Sequence, residues 1–270
     1  MRRKPGRGSA SRTLGAAAGP EAHAARHGLA RVISKRGICS RSEAARLVGE
    51  GRVQVDGRVA RDPEAPTLPD AMIRIDGRPA TTARRCYLML HKPRGVVTST
   101  RDEQGRDTVY RCLDGAPLPW LAPLGRLDKA SEGLLLLSND PAWAAAITDP
   151  SRGPLKTYHV QVDRVPDADL LRALAEGVEA DGGRLRAASV RLLRAGQKNA
   201  WLEIVLDEGR NRHIRRLLAA FDVAVLRLVR VAIGDLGLGS LGKGQWRELG
   251  AEEVARLTAG PPAGQGDGAS

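Results

Sequence analysis

Aromatic residues are scarce in this chain. Phe, Trp and Tyr make up 3% of its 270 positions, with one phenylalanine in all, so a tyrosine inside a motif is more informative than usual. Cysteine is nearly as rare. Cys39, Cys86 and Cys112 are far apart and form no CxxC pair, which excludes a zinc ribbon or a disulfide framework and fits a reducing cytoplasm. Of the histidines His23, His27, His91, His159 and His213, only the first two have ligand-like spacing, and they lack a third ligand nearby. No bound metal is expected, and without a glycine-rich nucleotide fingerprint no cofactor is expected either. No apolar run approaches the length needed to span a bilayer, so no membrane partner is expected. The first 26 residues contain no hydrophobic segment and do not read as a secretory signal. They are acid-poor, as organelle transit peptides are, but the reading adopted is a disordered basic tail.

Positive charge is plentiful. The formal net charge is +12, and residues 1–60 hold 13 Lys and Arg against 4 Asp and Glu. Arginine inflated by coding-sequence composition would be spread evenly. This asymmetry points instead to a polyanion-binding front end attached to a more balanced body.

The chain divides accordingly. Residues 1–26, rich in Gly, Ala, Ser and Arg, and residues 259–270 read as flexible tails. Within 27–80, Leu29, Val32 and Ile33 have helical spacing that ends at Gly37. Ser40-x-x-Glu43 opens a second helix as a capping box. Two alternating runs around Asp56-Gly57 predict a hairpin over 52–59, and Met72, Ile73 and Ile75 a further strand. Arg36, Arg41, Arg46, Arg52 and Arg58 decorate this helix-helix-hairpin unit and suggest a phosphate-binding face. A linker near 78–85 leads to a second block, 86–258. Its strands are expected at 87–90, 134–138, 157–162, 189–193, 201–206 and 225–233. Its helices are expected at 142–147, with Asp140 as cap and Pro141 first, and at 168–176, 211–221 and 252–257. Strands cluster rather than alternate with helices, so the fold class is α+β with a mixed, largely antiparallel sheet.

Three segments could carry chemistry: His91-Lys92-Pro93-Arg94-Gly95, the run GRLDKASEGLLLLSND at 125–140, and EGRNRHIRRL at 208–217. Asp128 precedes four leucines that suit a buried central strand, and Arg126 and Lys129 favour its ionised form. By spacing alone, an Asp among basic residues is usually a surface ion pair of little consequence. In the third segment Arg212 and Arg216 share a helix face. Arg215 falls at the edge of the apolar side, where a buried arginine needs an anion.

These segments, with KTYHV at 156–160, match in order and spacing across about 165 residues, and strongly resemble the RsuA-like ribosomal pseudouridine synthases. The N-terminal block resembles the S4-like RNA-binding domain that family members often carry. The resemblance implies an isomerase acting on a uridine in ribosomal RNA. It makes Asp128 the catalytic carboxylate, Tyr158 the residue packing against the target base, and Arg215 the partner of the carboxylate. It gives Arg126 the task of holding the RNA backbone or the gap left by the flipped base; Lys92, Arg212 and Arg216 are expected on the RNA as well, beside the arginines of the first block. It also implies a cytoplasmic monomer whose partner is ribosomal RNA or a ribosomal subunit assembly intermediate. Leu124 and Ser138 depart from the family's usual residues without altering a chemical group. The stretch GDLGLGSLGKGQWREL at 234–249 looks more like the enzymes of the large subunit, favouring 23S rRNA.

The reaction breaks the uracil N1–ribose C1′ bond, turns the base and rejoins it through C5, with no redox change and no donor group. The base must leave its stack, which costs a few kcal/mol. A carboxylate ionised and desolvated beside a permanent cation suits the work, so the Asp128–Arg215 pair is expected to be buried. A non-catalytic RNA-binding or ribosome-assembly factor would share the basic front end, and a base-removing glycosylase would share the need for a flipped base. A DNA-binding regulator fits less well, because no helix-turn-helix pairing with dimer heptads is evident.

Overall fold

Leu134, Leu135, Leu136 and Leu137 are all completely buried, at roughly 1.5–3 kcal/mol of apolar transfer each. Such a run can serve only as a central strand covered on both faces, and in the computed structural model it does. The structure describes residues 25–100, 102, 104–180 and 183–259. The proposed tails fall almost wholly outside these.

The N-terminal unit comprises β1 (His27–Gly28), α1 (Leu29–Lys35), α2 (Arg41–Gly49), β2 (Val53–Val55), β3 (Arg58–Ala60), β4 (Pro66–Thr67), β5 (Ile73–Ile75) and β6 (Arg78–Pro79). Ser40 Oγ accepts from the Glu43 amide at 3.0 Å and caps α2. Asp56 and Gly57 both take positive φ, 48° and 82°, the backbone of a type I′ hairpin turn. Asp76 and Gly77 repeat it at 49° and 76°, so residues expected to begin a linker form β6 instead. The sheet order is β3-β2-β5-β6. Leu29, Ile33, Val48, Val53 and Ile73 fill the small core between helices and sheet.

The larger block follows as β7 (Tyr87–Lys92), β8 (Ala122–Leu124), β9 (Glu132–Ser138), α3 (Pro141–Thr148), β10 (Lys156–Val162), α4 (Ala168–Glu176), β11 (Val178–Ala180), β12 (Gly183–Leu185), β13 (Ser189–Ala195), β14 (Ala200–Leu206), α5 (His213–Ala219), β15 (Val225–Ile233), β16 (Leu236–Gly237), β17 (Trp246–Glu248) and α6 (Ala251–Thr258). Its main sheet runs β13-β14-β10-β15-β9-β7-β17, with β8 on β9 and β16 on β15. The helix α3 begins where Asp140 accepts from the Ala142 and Trp143 amides ahead of Pro141. The packing of α4 and α5 on one side builds a core with Leu135, Leu137, Val160 and Ile204. A second core joins Leu134, Leu136, Trp143 and Leu257 on the other.

Among the described residues one strand pairing in this sheet is parallel, β9 against β15, which sets Val229 opposite Glu132 and Arg230 opposite Gly133. Gly133 has φ +112°, and a Cβ there would lie 2.2 Å from the Arg230 carbonyl oxygen. The strands can approach this closely only because position 133 has no side chain. Glu132 beside it is buried and held by Arg227 and Lys243. Burial opposes its ionisation, but those two cations outweigh burial and leave its carboxyl below the usual range.

Candidate active site

The loop between β8 and β9 carries Asp128, and its backbone is tied down from several directions. The Lys92 ammonium, fully buried at 0% exposure, donates to the carbonyls of Pro93 (3.2 Å), Asp128 (3.1 Å) and Ser131 (2.8 Å). Thr98 Oγ1 donates to the Leu127 carbonyl at 2.8 Å. The Gly95 amide donates to Lys129 O at 2.8 Å, and the Ser131 amide to Asp128 O at 2.9 Å. The HKPRG segment is thus a brace under the loop. This corrects the expectation that Lys92 contacts RNA: an ammonium with no exposed surface and three carbonyl partners cannot reach a phosphate. Burial pushes it down to about 8, against the pull of the Asp128 carboxylate.

Opposite the loop stands α5. Ile214, Leu217 and Leu218 are buried in the core, which leaves Arg215 at the edge, its side chain 16% exposed. Arg215 Nε lies 4.0 Å from Asp128 Oδ2, and Arg212 Nη1 lies 3.8 Å from the same oxygen. Both distances exceed hydrogen-bonding range, so the contact is electrostatic. Burial, then the neighbouring Arg212, lower the Arg215 guanidinium from its usual value, and Asp128 opposes them. The Asp128 side chain keeps 36% of its surface exposed. The pair is therefore half-open rather than buried, because the carboxylate sits at the mouth of a cavity and not under it.

Arg212 departs from the expected helix. α5 begins at His213, and Arg212 precedes it in the left-handed region at φ 50°. Its guanidinium reaches Asp128 from the loop and does not form a face with Arg216. Arg216, by contrast, does not line the cavity.

The cavity between loop and helix has a volume of about 370 Å³, at the low end of the roughly 300–1,000 Å³ typical of ligand sites. Asp128, Arg212, Arg215 and Tyr158 line it, and so do Lys156 and Arg230. Tyr158, on β10, is 8% exposed. Arg126 is exposed and lines both this cavity and an adjoining cleft of about 730 Å³ on the other side of Asp128. Sequence reasoning passed over Arg230 and Lys156. Arg230 is 5% exposed, donates from Nε to Leu134 O at 2.7 Å, and leaves Nη2 without a partner. Burial and the nearby Arg230 lower the Lys156 ammonium. Two cations thus flank Tyr158 on the floor. Nothing in LVRV or LKTY distinguishes a buried cation from a surface one until β10 and β15 are paired.

The arginines of the N-terminal unit are mostly engaged within the protein. Arg36 donates to the carbonyls of Pro69 and Ala71. Arg41 pairs with Glu64, Arg46 with Glu43 and Glu50, and Arg52 with Asp76 and Glu50. Of the five, only Arg58 has neither an ion pair nor a side-chain hydrogen bond among the described residues; it is exposed. A more open positive patch lies at His27, Arg31 and Lys35. Lys35, then burial, then Arg31 lower the His27 imidazole, the signature of positive charge without compensation. No group of three or more His, Cys, Asp and Glu among the described residues is placed to hold a metal ion.

Comparison with known proteins agrees with this architecture. Residues 86–220 match the family model for RNA pseudouridylate synthase, and residues 28–73 match the S4 domain. An uncharacterized RNA pseudouridine synthase of Aquifex aeolicus is 37% identical over 227 residues, covering 83% of this chain and 91% of that protein. The ribosomal large subunit pseudouridine synthase B of Bacillus subtilis is 34% identical over 233 residues, covering 86% and 95%. A pseudouridylate synthase crystal structure superposes with a TM-score of 0.61 at 28% identity, over 86% of this chain and 99% of that one. The chain belongs to the RNA pseudouridine synthase family, isomerases that act on RNA, with an S4 domain at its N-terminal end.

Proposed function

We propose that the chain converts a specific uridine of ribosomal RNA, in the 23S molecule, to pseudouridine, with Asp128 as its catalytic carboxylate. The observation that carries this reading is the meeting of one carboxylate with two guanidiniums at 3.8 and 4.0 Å, at the mouth of a cavity with Tyr158 on its floor. A flipped uracil would enter that cavity and lie against Tyr158. The reaction exchanges the N1–C1′ bond for a C5–C1′ bond, moves the C5 proton away and supplies one to N1. Asp128 acts on the sugar or base as nucleophile, or accepts a proton. Either role uses the carboxylate form, and Arg212 and Arg215 stand 3.8 and 4.0 Å from it as permanent cations.

The ribosomal target is supported by the likeness to the ribosomal large subunit pseudouridine synthase B of Bacillus subtilis and by the 234–249 stretch. The S4 domain, through Arg31, Lys35 and Arg58 rather than the compensated arginines, supplies salt-sensitive affinity, because phosphate contacts position without specifying sequence. The enzyme acts as a cytoplasmic monomer on free ribosomal RNA or on a subunit assembly intermediate.

The test is Asp128→Asn, with RNA binding measured in parallel. The expected outcome is retained binding and no pseudouridine in unmodified 23S transcript. Normal turnover by this variant would eliminate the mechanism. Mapping the pseudouridine missing from 16S and 23S RNA in a deletion strain decides the subunit. A full complement of modifications there would reduce the protein to one that holds RNA.

A further inference from the structure

A second, larger cavity opens beside the one just described. Its volume is about 1280 Å³, above the roughly 300–1,000 Å³ of small-ligand sites. Pro150, Glu208 and Arg210 line both cavities, so the two are compartments of one trough. The volume suits a length of chain better than a free small molecule.

Its chemistry is amphipathic. Leu155 is 45% exposed and, with Pro154 on the same wall, presents an apolar surface. The charges around it are unequal. Arg186 pairs with Asp207 at 2.9 Å, Arg210 with Glu208 at 2.9 Å and Arg256 with Asp235 at 3.4 Å, which uses every acidic group in the lining. Two further cations in the lining form no ion pair among the described residues, although the charge of Arg152 is felt by the nearby Asp149 carboxyl. The guanidinium of Arg152 makes no hydrogen bond or ion pair among the described residues. Arg184 donates Nε and Nη2 to one carbonyl, that of Glu176, at 3.2 and 2.9 Å, and forms no ion pair among the described residues, with Glu179 opposite it in the β11–β12 ladder.

We propose that this compartment holds the nucleotide adjoining the target uridine, with its phosphate between Arg152 and Arg184 and its base against Leu155 and Pro154. The inference rests on the RNA substrate argued above and adds a subsite to it. Apolar surface beside unpaired cations is what an unstacked nucleotide requires, because it offers a flat apolar base and a charged phosphate together. Continuity with the uracil cavity sets the order: a base turned into the smaller compartment brings its neighbour's phosphate to the shared wall. Such a subsite also helps hold the strand open once the target has left its stack.

Full-length protein is irradiated with unmodified 23S transcript containing 4-thiouridine at low density, and the cross-linked peptides are identified by mass spectrometry. Adducts are expected on peptides spanning 150–157 or 183–186, competed away by unlabelled transcript. Adducts confined to 27–80 and 125–131 would overturn the proposal. Kinetics provide a second reading. Arg152→Ala removes an exposed side chain that makes no hydrogen bond or ion pair among the described residues, and so leaves the fold intact. It should raise KM about fivefold to tenfold and flatten its salt dependence, with kcat within a factor of two. Leu155→Asp should do the same or worse. An unchanged KM in both variants would also overturn it. Wild-type protein that cross-links but forms no pseudouridine refutes the reaction and not the subsite, so the two failures are distinguishable.

Discussion

Replacing Lys92 by Met separates a brace from an RNA contact. The substitution keeps most of the volume of a fully buried side chain and removes its charge and three hydrogen bonds. Two effects oppose each other. The lowering of the ammonium from 10.5 to about 8 corresponds to a net penalty on the order of 3 kcal/mol for the charged form, burial less the attraction of Asp128, at about 1.4 kcal/mol per pH unit, and methionine relieves it. Against this, hydrogen bonds to a charged donor contribute about 1.5–3 kcal/mol each, and a buried carbonyl left without a partner costs about 1–3. Asp128 O retains the Ser131 amide, but the Pro93 and Ser131 carbonyls lose a donor that nothing nearby replaces. The balance is a destabilisation of about 1–4 kcal/mol, read by urea unfolding. The catalytic consequence is larger, because the Asp128 backbone is then free to shift, and a displacement near 1 Å can cost about a hundredfold. At saturating RNA, kcat should fall by about that factor while KM and its salt slope stay put. An RNA contact would give the reverse, a raised KM, a shallower salt slope and an intact kcat. A Lys92→Met protein as stable and as fast as wild type would refute the brace.

Three further outcomes follow from the same geometry. Gly133→Ala puts a Cβ 2.2 Å from the Arg230 carbonyl at φ +112° and should destabilise the protein by about 3 kcal/mol or more; thermal unfolding unchanged within a degree would contradict the close strand approach. Arg212→Gly removes a left-handed strain of about 1 kcal/mol together with a cation 3.8 Å from Asp128, so stability should hold or rise slightly while kcat falls at least tenfold, and a parallel loss of both would argue against that division. Burial, the largest influence, lowers the His213 imidazole below 6.5. The unfolded chain therefore binds the proton first as pH falls through 6.5, stability rises with pH across that window, and the contribution is complete above it. His213→Gln should flatten the acid-side decline in unfolding free energy, and an unaltered pH profile would show that His213 does not drive it.

Much of this architecture can be read from the sequence where local chemistry decides the outcome. Leu134–Leu137 can only be a doubly covered strand, Asp140-Pro141 can only start a helix economically, and Asp56-Gly57 dictates a tight hairpin. The same dipeptide at Asp76-Gly77 carries the same signal, and the structure forms a second turn there followed by β6, where a linker is expected. Other features depend on pairings distant in sequence and leave no local trace. Lys92 looks like any lysine beside a proline until the 127–131 backbone is folded against it. Arg230 is one basic residue in an apolar strand until β15 lies parallel to β9 and β10 brings Tyr158 opposite. Arg36, Arg46 and Arg52 look like a phosphate face in a charge count, but the neighbouring carbonyls and carboxylates that occupy them appear only in three dimensions.

The candidate site is where three distant segments meet, and each constrains a different variable. β7, through Lys92, fixes the height of the loop backbone. The parallel β9–β15 seam, closed by Gly133, fixes the loop's lateral position. The start of α5 fixes the cations, because Ile214, Leu217 and Leu218 anchor the helix by its apolar side and leave Arg215 only the edge. The carboxylate itself is left loose, at 3.8 and 4.0 Å from its cations and partly exposed. A fully buried pair would be rigid, but it would leave no route for a uracil and carry a desolvation penalty at all times. In the proposed reaction a half-open pair on a rigid backbone would let the substrate complete the desolvation: RNA covering the cavity would exclude water from Asp128, and its attraction to Arg212 and Arg215 would strengthen as the local dielectric falls. Rigidity in the main chain and openness in the side chain are thus complementary requirements of one site. The proposed mechanism therefore calls, beyond Asp128, on a buried lysine, a glycine and an arginine with left-handed backbone rather than on a second acid.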